Sequence, residues 1–308
     1  MTSKQKIFLN KKQLKTVLSK SLKEEIIHVE TDFQDKGYSG NVNQVKVVTS
    51  NNQKFSFILK KDDGFDLMGL YKEVLVPYNL NHPKVFGKVS INSETFILIE
   101  YIPYVEESWD ESNYSKALSW LIKKDKVLHD NIKQIKIFPF IRKKVKNQVG
   151  KYIELINKGA RDRIHPIITK KFASTIQKKE RRYQEQFKLL NDGLLTVSHN
   201  DLCENNILFG IGTYKNKTYV IDWTYPSIGS VCIDLVELVK NTSKILQEKL
   251  IKRYRSRLDF DDFEKTYKAA KALNDLSYLT WVIEGVLEGD LDLKEDEDFK
   301  TLVKRVGK

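Results

Sequence analysis

The chain has 308 residues, of which 41% are hydrophobic and 31% charged, with 14 Gly and 6 Pro, a composition that excludes disordered and collagen-like chains. No apolar run nears the ~20 residues of a membrane-spanning helix, since even Phe96-Ile97-Leu98-Ile99 stops at Glu100. The two cysteines, Cys203 and Cys232, are too few for a disulfide framework and form no Cys-x-x-Cys pair. Thiols of this kind fit a reducing cytosol. The lysine-bearing start, MTSKQKIFLNKKQLK, has neither the apolar core nor the cleavage site of a leader, so a cytoplasmic location is expected.

Net charge is +12, and residues 121–190 hold 20 Lys/Arg against 6 Asp/Glu, enough for the whole surplus. Without a nucleic-acid motif or regular aromatic interleaving, that segment reads first as solvated helix faces. An anionic membrane surface and a phosphorylated substrate are its other readings, and a nucleic-acid partner is not expected. Acidic residues gather instead between Glu288 and Asp298.

In chain order, Leu14, Val17, Leu18 and Leu22 have amphipathic helical spacing, and Glu25–Val29 is β-rich. A glycine turn, Gly37-Tyr38-Ser39-Gly40-Asn41, leads into a strand at Val42–Val48. The turn Ser50–Gln53 precedes another at Lys54–Lys60. Helical spacing over 66–78 places Leu67, Leu70, Val74 and Leu75 on one face, and strands over Val85–Ile91 and Thr95–Ile102 follow. The pattern is then helical from Asp110 to Leu190. Short strands return at Leu194–Ser198, Ile207–Phe209 and Tyr219–Trp223, and helices resume from Asp234. The expected architecture is α+β: a small lobe, residues 1–102, with a five-stranded antiparallel sheet and a helix, and a larger, mainly helical lobe, residues 103–308.

The densest polar cluster is Ser198-His199-Asn200-Asp201-Leu202-Cys203-Glu204-Asn205-Asn206, followed by Val220-Ile221-Asp222-Trp223 at the end of an apolar strand. Phosphoryl transfer needs a carboxylate that orients and deprotonates a hydroxyl, and an amide and a second carboxylate as magnesium ligands. Asp201, Asn206 and Asp222 supply those groups. His199, beside a carboxylate that already fills the acceptor role, reads as a structural hydrogen-bonding residue.

His199-Asn200-Asp201 with Asn206 resembles the H-x-D-x-x-x-x-N loop of the aminoglycoside phosphotransferase and choline kinase superfamily, relatives of protein kinases. Ile221-Asp222-Trp223, with Gly229, Asp234 and Leu235, resembles its next segment, and Leu128-His129 its L-x-x-L-H helix. The resemblance implies a protein-kinase-like two-lobed fold and transfer of the γ-phosphoryl group of ATP or GTP, with Mg2+, to a small-molecule hydroxyl. It assigns Asp201 as the catalytic base, Asn206 and Asp222 to the metal, and Asp234 as a brace of the loop. Ser39, Gly40 and Asn41 resemble the nucleotide-positioning loop, Lys60 the strand lysine and Glu73 its helix partner, and Glu100 to Ile102 the stretch whose backbone meets the base. Strand parity puts Phe55, Phe57 and Leu59 on one face and Ile58 and Lys60 on the other, which favours Lys60 over Lys61.

The acceptor expected by resemblance is an aminoglycoside or another antibiotic. Asn200 within H-N-D, and the aromatics Trp109, Tyr114, Trp120, Trp223, Tyr225, Tyr278 and Trp281, point alternatively to choline or ethanolamine, through a cation-π cage. A binding or spore-coat-type structural protein that has lost catalysis is the third reading, opposed by the intact Asp201, Asn206, Asp222 set.

Overall fold

Alternation of apolar and polar residues builds the first third of the chain into a sheet. The computed structural model describes residues 11–33, 42–62, 64–91, 93–104, 108–135, 148–223, 226–291 and 297–307. Strands β1 (Ile26–Phe33), β2 (Val42–Thr49), β3 (Lys54–Lys61), β4 (Val85–Ile91) and β5 (Glu94–Glu100) pair antiparallel in the order β1-β2-β3-β5-β4. Helix α1 (Lys11–Leu22) lays Leu14 and Leu18, both fully buried, into a core with Ile26, Val45, Phe57, Leu59, Phe96 and Leu98. Phe57 and Leu59 share this core, so the pleat turns Lys60, between β3 neighbours of the other parity, to the opposite face.

The helix expected over 66–78 starts at α2 (Leu67–Leu70), where Asp66 Oδ1 caps the Gly69 N–H at 2.9 Å. It continues as a π-helical turn, Tyr71–Leu75, closed by Val76 N–H donating to Tyr71 O at 3.0 Å. Such a turn takes an extra residue per hydrogen-bonded ring, so Glu73 leaves the azimuth that an α-helix would give it.

Helical spacing dominates the remainder. Helix α3 (Glu111–Asp130) is capped by Asp110, whose carboxylate accepts from Asn113 N–H at 2.8 Å. After α4 (Ile132–Ile135) come α5 (Val149–Asp162), α6 (Lys170–Lys178) and α7 (Glu180–Asp192). Strand β6 (Leu195–Ser198) enters the polar cluster, and β7 (Ile207–Phe209) and β8 (Thr218–Val220) form a hairpin after it. Strand β9 (Ser227–Ser230) pairs with β6. Ser-Ile-Gly-Ser has no apolar alternation to predict a strand, yet all four residues are buried. Helices α8 (Cys232–Val239), α9 (Lys244–Arg255), α10 (Phe263–Leu287) and α11 (Glu297–Gly307) complete the chain.

The 25-residue α10 packs on α5, α7, α8 and α11, burying Leu273, Leu276, Leu279 and Ile283 among others. Gly159 marks its crossing with α5, since a Cβ there would lie 3.0 Å from Ile283 Cγ2. No helix among the described residues is long and apolar enough to cross a membrane.

Two compact units result. A sheet unit joins Ser3–Ser108 to Asn205–Thr224, and thus takes in the β7–β8 hairpin from late in the sequence. A helical unit comprises Trp109–Glu204 and the residues from Tyr225 on.

Candidate functional site

In the sheet unit, the hairpin brings Asn206 and Asp222 together although 16 positions separate them. Ile207 pairs with Val220, and Ile221 N–H donates to Asn206 O at 2.9 Å, so Asp222 follows directly on the residue paired with Asn206. Asn206 closes a 3-10 turn, Glu204–Asn206, and is buried. Asp222 holds a left-handed backbone, φ +61°. A non-glycine residue adopts that region rarely, and such outliers gather at functional positions. Its carboxylate is 45% exposed and forms an ion pair with Lys60 Nζ. The adjacent Lys61 pairs instead with Glu94 at 2.5 Å. The two lysines are thus sorted by strand parity, and Lys60 is the one that meets Asp222.

Glu73 is exposed on the π-helical turn, while Lys60 forms an ion pair with Asp222.

Glu100, at the end of β5, is committed on two sides. Its N–H donates to Lys84 O at 2.8 Å, while its carboxylate accepts from Lys84 N–H at 3.0 Å and from Tyr214 Oη at 2.7 Å. That hydrogen bond, followed by burial and the charge of Glu100, pushes the Tyr214 phenol up to about 12. Ile102 is buried. Just beyond it, Pro103 O accepts from Ile211 N–H at 3.0 Å, and Tyr104 bridges to Gly210. Ser39, Gly40 and Asn41 lie outside the described residues, as does Tyr225.

In the helical unit, β6 delivers His199-Asn200-Asp201. Asp234, fully buried on α8, accepts from His199 N–H at 2.8 Å and from Asn200 N–H at 3.0 Å, one on each carboxylate oxygen. Asn200 is left-handed, φ +69°, and its amide donates to Ser227 Oγ at 3.0 Å. The buried His199 accepts at Nδ1 from Asp201 N–H, 3.3 Å away. Asp201 itself is exposed. Three consecutive backbone N–H groups are therefore fixed by Asp234 and His199, and the turn they shape ends on Asp201.

Several members of this surrounding were not foreseen. Lys124 of α3, 0% exposed, donates to Asp234 Oδ2 at 2.5 Å and to Val197 O at 3.0 Å, and forms an ion pair with Asp125 Oδ1 at 2.9 Å. Asp125 Oδ2 accepts from Tyr254 Oη of α9 at 2.7 Å. Burial alone would raise the Asp234 carboxyl, but Lys124, His199 and the hydrogen bonds from both outweigh it, and the net shift is down. Asp125 goes the other way: burial, only partly offset by Lys124, pushes it up to about 6. A signal was present in the sequence, for Lys124 and Asp125 sit at helical spacing within the apolar stripe of Ala117, Leu121 and Leu128.

Glu204 accepts from Tyr114 Oη of α3, anchoring the 3-10 turn next to Asn206, and burial followed by that carboxylate raises the Tyr114 phenol. Glu237 of α8 is raised by burial foremost, with Asp201 and Asp234 adding to it, and it holds Lys240 Nζ at 2.5 Å. Lys240 in turn lies over Tyr278, 5.8 Å from the ring centroid. The cation on that ring is thus the protein's own. No group of three or more His, Cys, Asp or Glu suited to a metal occurs among the described residues.

The fold recurs in solved structures. A GDP complex of aminoglycoside 2'-phosphotransferase-IIIa superposes with a TM-score of 0.60 at 16% identity, covering 97% of this chain and 98% of that one. Spectinomycin phosphotransferase, in complex with ADP and spectinomycin, gives 0.58 at 13%, with 98% and 94% covered. Choline kinase from Cryptosporidium parvum gives 0.56 at 16%, with 90% and 88% covered. The chain therefore has the protein-kinase-like fold that these phosphotransferases share. Within that class, residues 115–260 match the model of the ecdysteroid kinase-like family, a stretch of just under half the chain that contains Asp201, Asn206, Asp222 and Asp234. No curated protein matches the sequence.

Proposed function

We propose that the chain is a nucleotide-dependent kinase of small molecules, transferring the γ-phosphoryl group of ATP or GTP to a hydroxyl. The observation that carries this reading is the meeting of Lys60 with Asp222, 162 positions apart, on the hairpin that also presents Asn206, combined with a braced turn that ends on exposed Asp201. Asp201 orients the acceptor hydroxyl and takes its proton as the new O–P bond forms. The bond from the γ-phosphorus to the β–γ bridging oxygen breaks, and the nucleoside diphosphate leaves with that electron pair. Lys60 holds the non-transferred phosphates as a point charge. Ser39, Gly40 and Asn41 would add contacts to phosphate, and the backbone near Glu100 and Ile102 would meet the base.

Asn206 and Asp222 fit a magnesium ion, because it takes hard oxygen ligands and is commonly held by one or two carboxylates together with substrate phosphates. When bound, that ion neutralises charge on the phosphoryl oxygens. Asn206 O accepts from Ile221 N–H, the neighbour of Asp222, at the open end of one hairpin, which supports a shared ligand.

The antibiotic and choline acceptors rest on likeness of fold, and a fold hosts many substrates. The ecdysteroid kinase-like match covers the catalytic segments themselves, so a steroid alcohol joins the acceptor classes to be tested. The test is magnesium-dependent ATP and GTP consumption across aminoglycosides, choline, ethanolamine and an ecdysteroid, with Asp201→Asn as the blank. Acceptor-dependent consumption that drops about 10²–10⁴-fold in the variant, with nucleotide affinity kept, is expected. Equal consumption by the variant would remove Asp201 from the mechanism, and no acceptor-dependent consumption together with no nucleotide binding would favour a binding protein that has lost catalysis.

A further inference from the structure

A lysine with no exposed surface is uncommon, because desolvating an ammonium costs several kcal/mol unless oxygens replace its water. Lys124 meets this requirement with two hydrogen-bonded oxygens, Asp234 Oδ2 at 2.5 Å and Val197 O at 3.0 Å, and with the counter-charge of Asp125, whose Oδ1 lies 2.9 Å away as an ion pair. Two of these oxygens belong to the Asp201 turn. Val197 is two residues before His199 on β6, and Asp234 receives the N–H groups of His199 and Asn200. Asp125 ties the cluster to α9, its Oδ2 accepting from Tyr254 Oη at 2.7 Å.

We infer that Lys124 is a positioning residue for Asp201: by holding the Asp234 carboxylate and the Val197 carbonyl at once, it fixes the strand exit and the left-handed turn at Asn200 that present the catalytic carboxylate. Asp234 alone could rotate about its side-chain torsions and still keep one N–H. Bound to a cation that is anchored on α3 and on β6, it must keep both. Lys124 never touches a substrate in this role. It acts through Asp234.

The kinetic part of this inference rests on the phosphotransfer reading, and the structural part does not. Lys124→Met alone strands two carboxylates in the interior and would fail for that reason. The informative variant is Lys124→Met with Asp125→Asn, which removes one charge of each sign and leaves an acceptor for Tyr254. It should fold and keep the nucleotide KM within about twofold, while kcat falls about 10–100-fold, as misplacement of a reacting group by about an ångström does. Hydrogen exchange at the His199 and Asn200 amides should accelerate by the same order. Asp125→Asn alone, which keeps Lys124 on Asp234, should leave kcat unchanged.

A double variant with wild-type kcat and wild-type exchange at these amides overturns the inference. So does a loss of kcat in Asp125→Asn equal to that of the double variant. Fast exchange of the two amides in the unmodified chain overturns it even if the double variant does not fold. If the unmodified chain phosphorylates nothing, the phosphotransfer reading falls, while the amide exchange still decides the clamp.

Discussion

Adjacent lysines on one strand give the sharpest contrast between residues of the same type. Lys60 and Lys61 are chemically identical, and the pleat alone sends them apart, one to Asp222 and the other to Glu94. Lys60→Ala should lower affinity for magnesium nucleotide about 10-fold or more, since a charge-assisted contact to phosphate contributes about 1.5–3 kcal/mol. Lys61→Ala removes an ion pair whose side chains are 42% and 38% exposed. Such pairs contribute at most about 1 kcal/mol, so affinity and turnover should stay at wild-type levels. Calorimetric titration of both variants with ATP and magnesium checks this. Equal losses would mean that general positive charge, rather than the residue facing Asp222, binds the nucleotide. Parity was legible in the sequence because a period of two follows from strand geometry. The partner was not, because it depends on which distant loop meets the strand.

At the scale of elements, the β7–β8 hairpin must place Asn206 beside Asp222, and its turn is built tightly to do so. Gly210 lies against the next turn, so that a Cβ there would stand 2.4 Å from Tyr214 O and 2.6 Å from Tyr214 Cβ. Backbone, unlike the end of a long side chain, has little room to give. Gly210→Ala should therefore destabilise the chain by about 1–3 kcal/mol, the usual range for overpacking. It should also push Tyr214 away from Glu100 and free a phenol now held up at about 12. A melting curve reads the first effect. An ultraviolet titration read at tyrosinate reads the second, with a lower phenol midpoint expected in the variant. Unchanged melting and titration would show that the turn yields without cost. Elements like this hairpin were found by their apolar runs, Ile207–Phe209 and Tyr219–Trp223, whereas β9 escaped because its four residues are small and it is a strand only through β6.

On the scale of the whole chain, the sequence order and the spatial grouping differ in one place that matters for function. A division at residue 102 follows the change from alternation to helical spacing, and that change is local information. The assignment of Asn205–Thr224 to the sheet unit is not local. It follows from contacts such as Lys60–Asp222, Tyr214–Glu100 and Ile211–Pro103, none of which leaves a periodic trace in sequence. The buried cluster of Lys124, Asp125 and Tyr254 was hidden for a similar reason: charged residues in an apolar stripe can be read as interruptions until the partners that neutralise them are known.

The grouping has a measurable consequence. If Lys60, Asn206 and Asp222 bind one magnesium nucleotide, saturating ligand at 100 times its Kd adds about 2.7 kcal/mol to the unit that holds it. Hydrogen exchange should then slow together in Lys54–Lys61 and in the β7–β8 hairpin, two segments separated by more than 140 residues, while α6 and α11 of the helical unit change little. The control is Asp222→Ala, which should abolish the joint protection because it removes a proposed metal ligand and the partner of Lys60 in one step. Protection of β3 without the hairpin would mean that the phosphates are held by Lys60 alone. In that case the oxygen ligands at Asn206 and Asp222 would have to be reassigned, and with them the metal-assisted part of the proposed reaction.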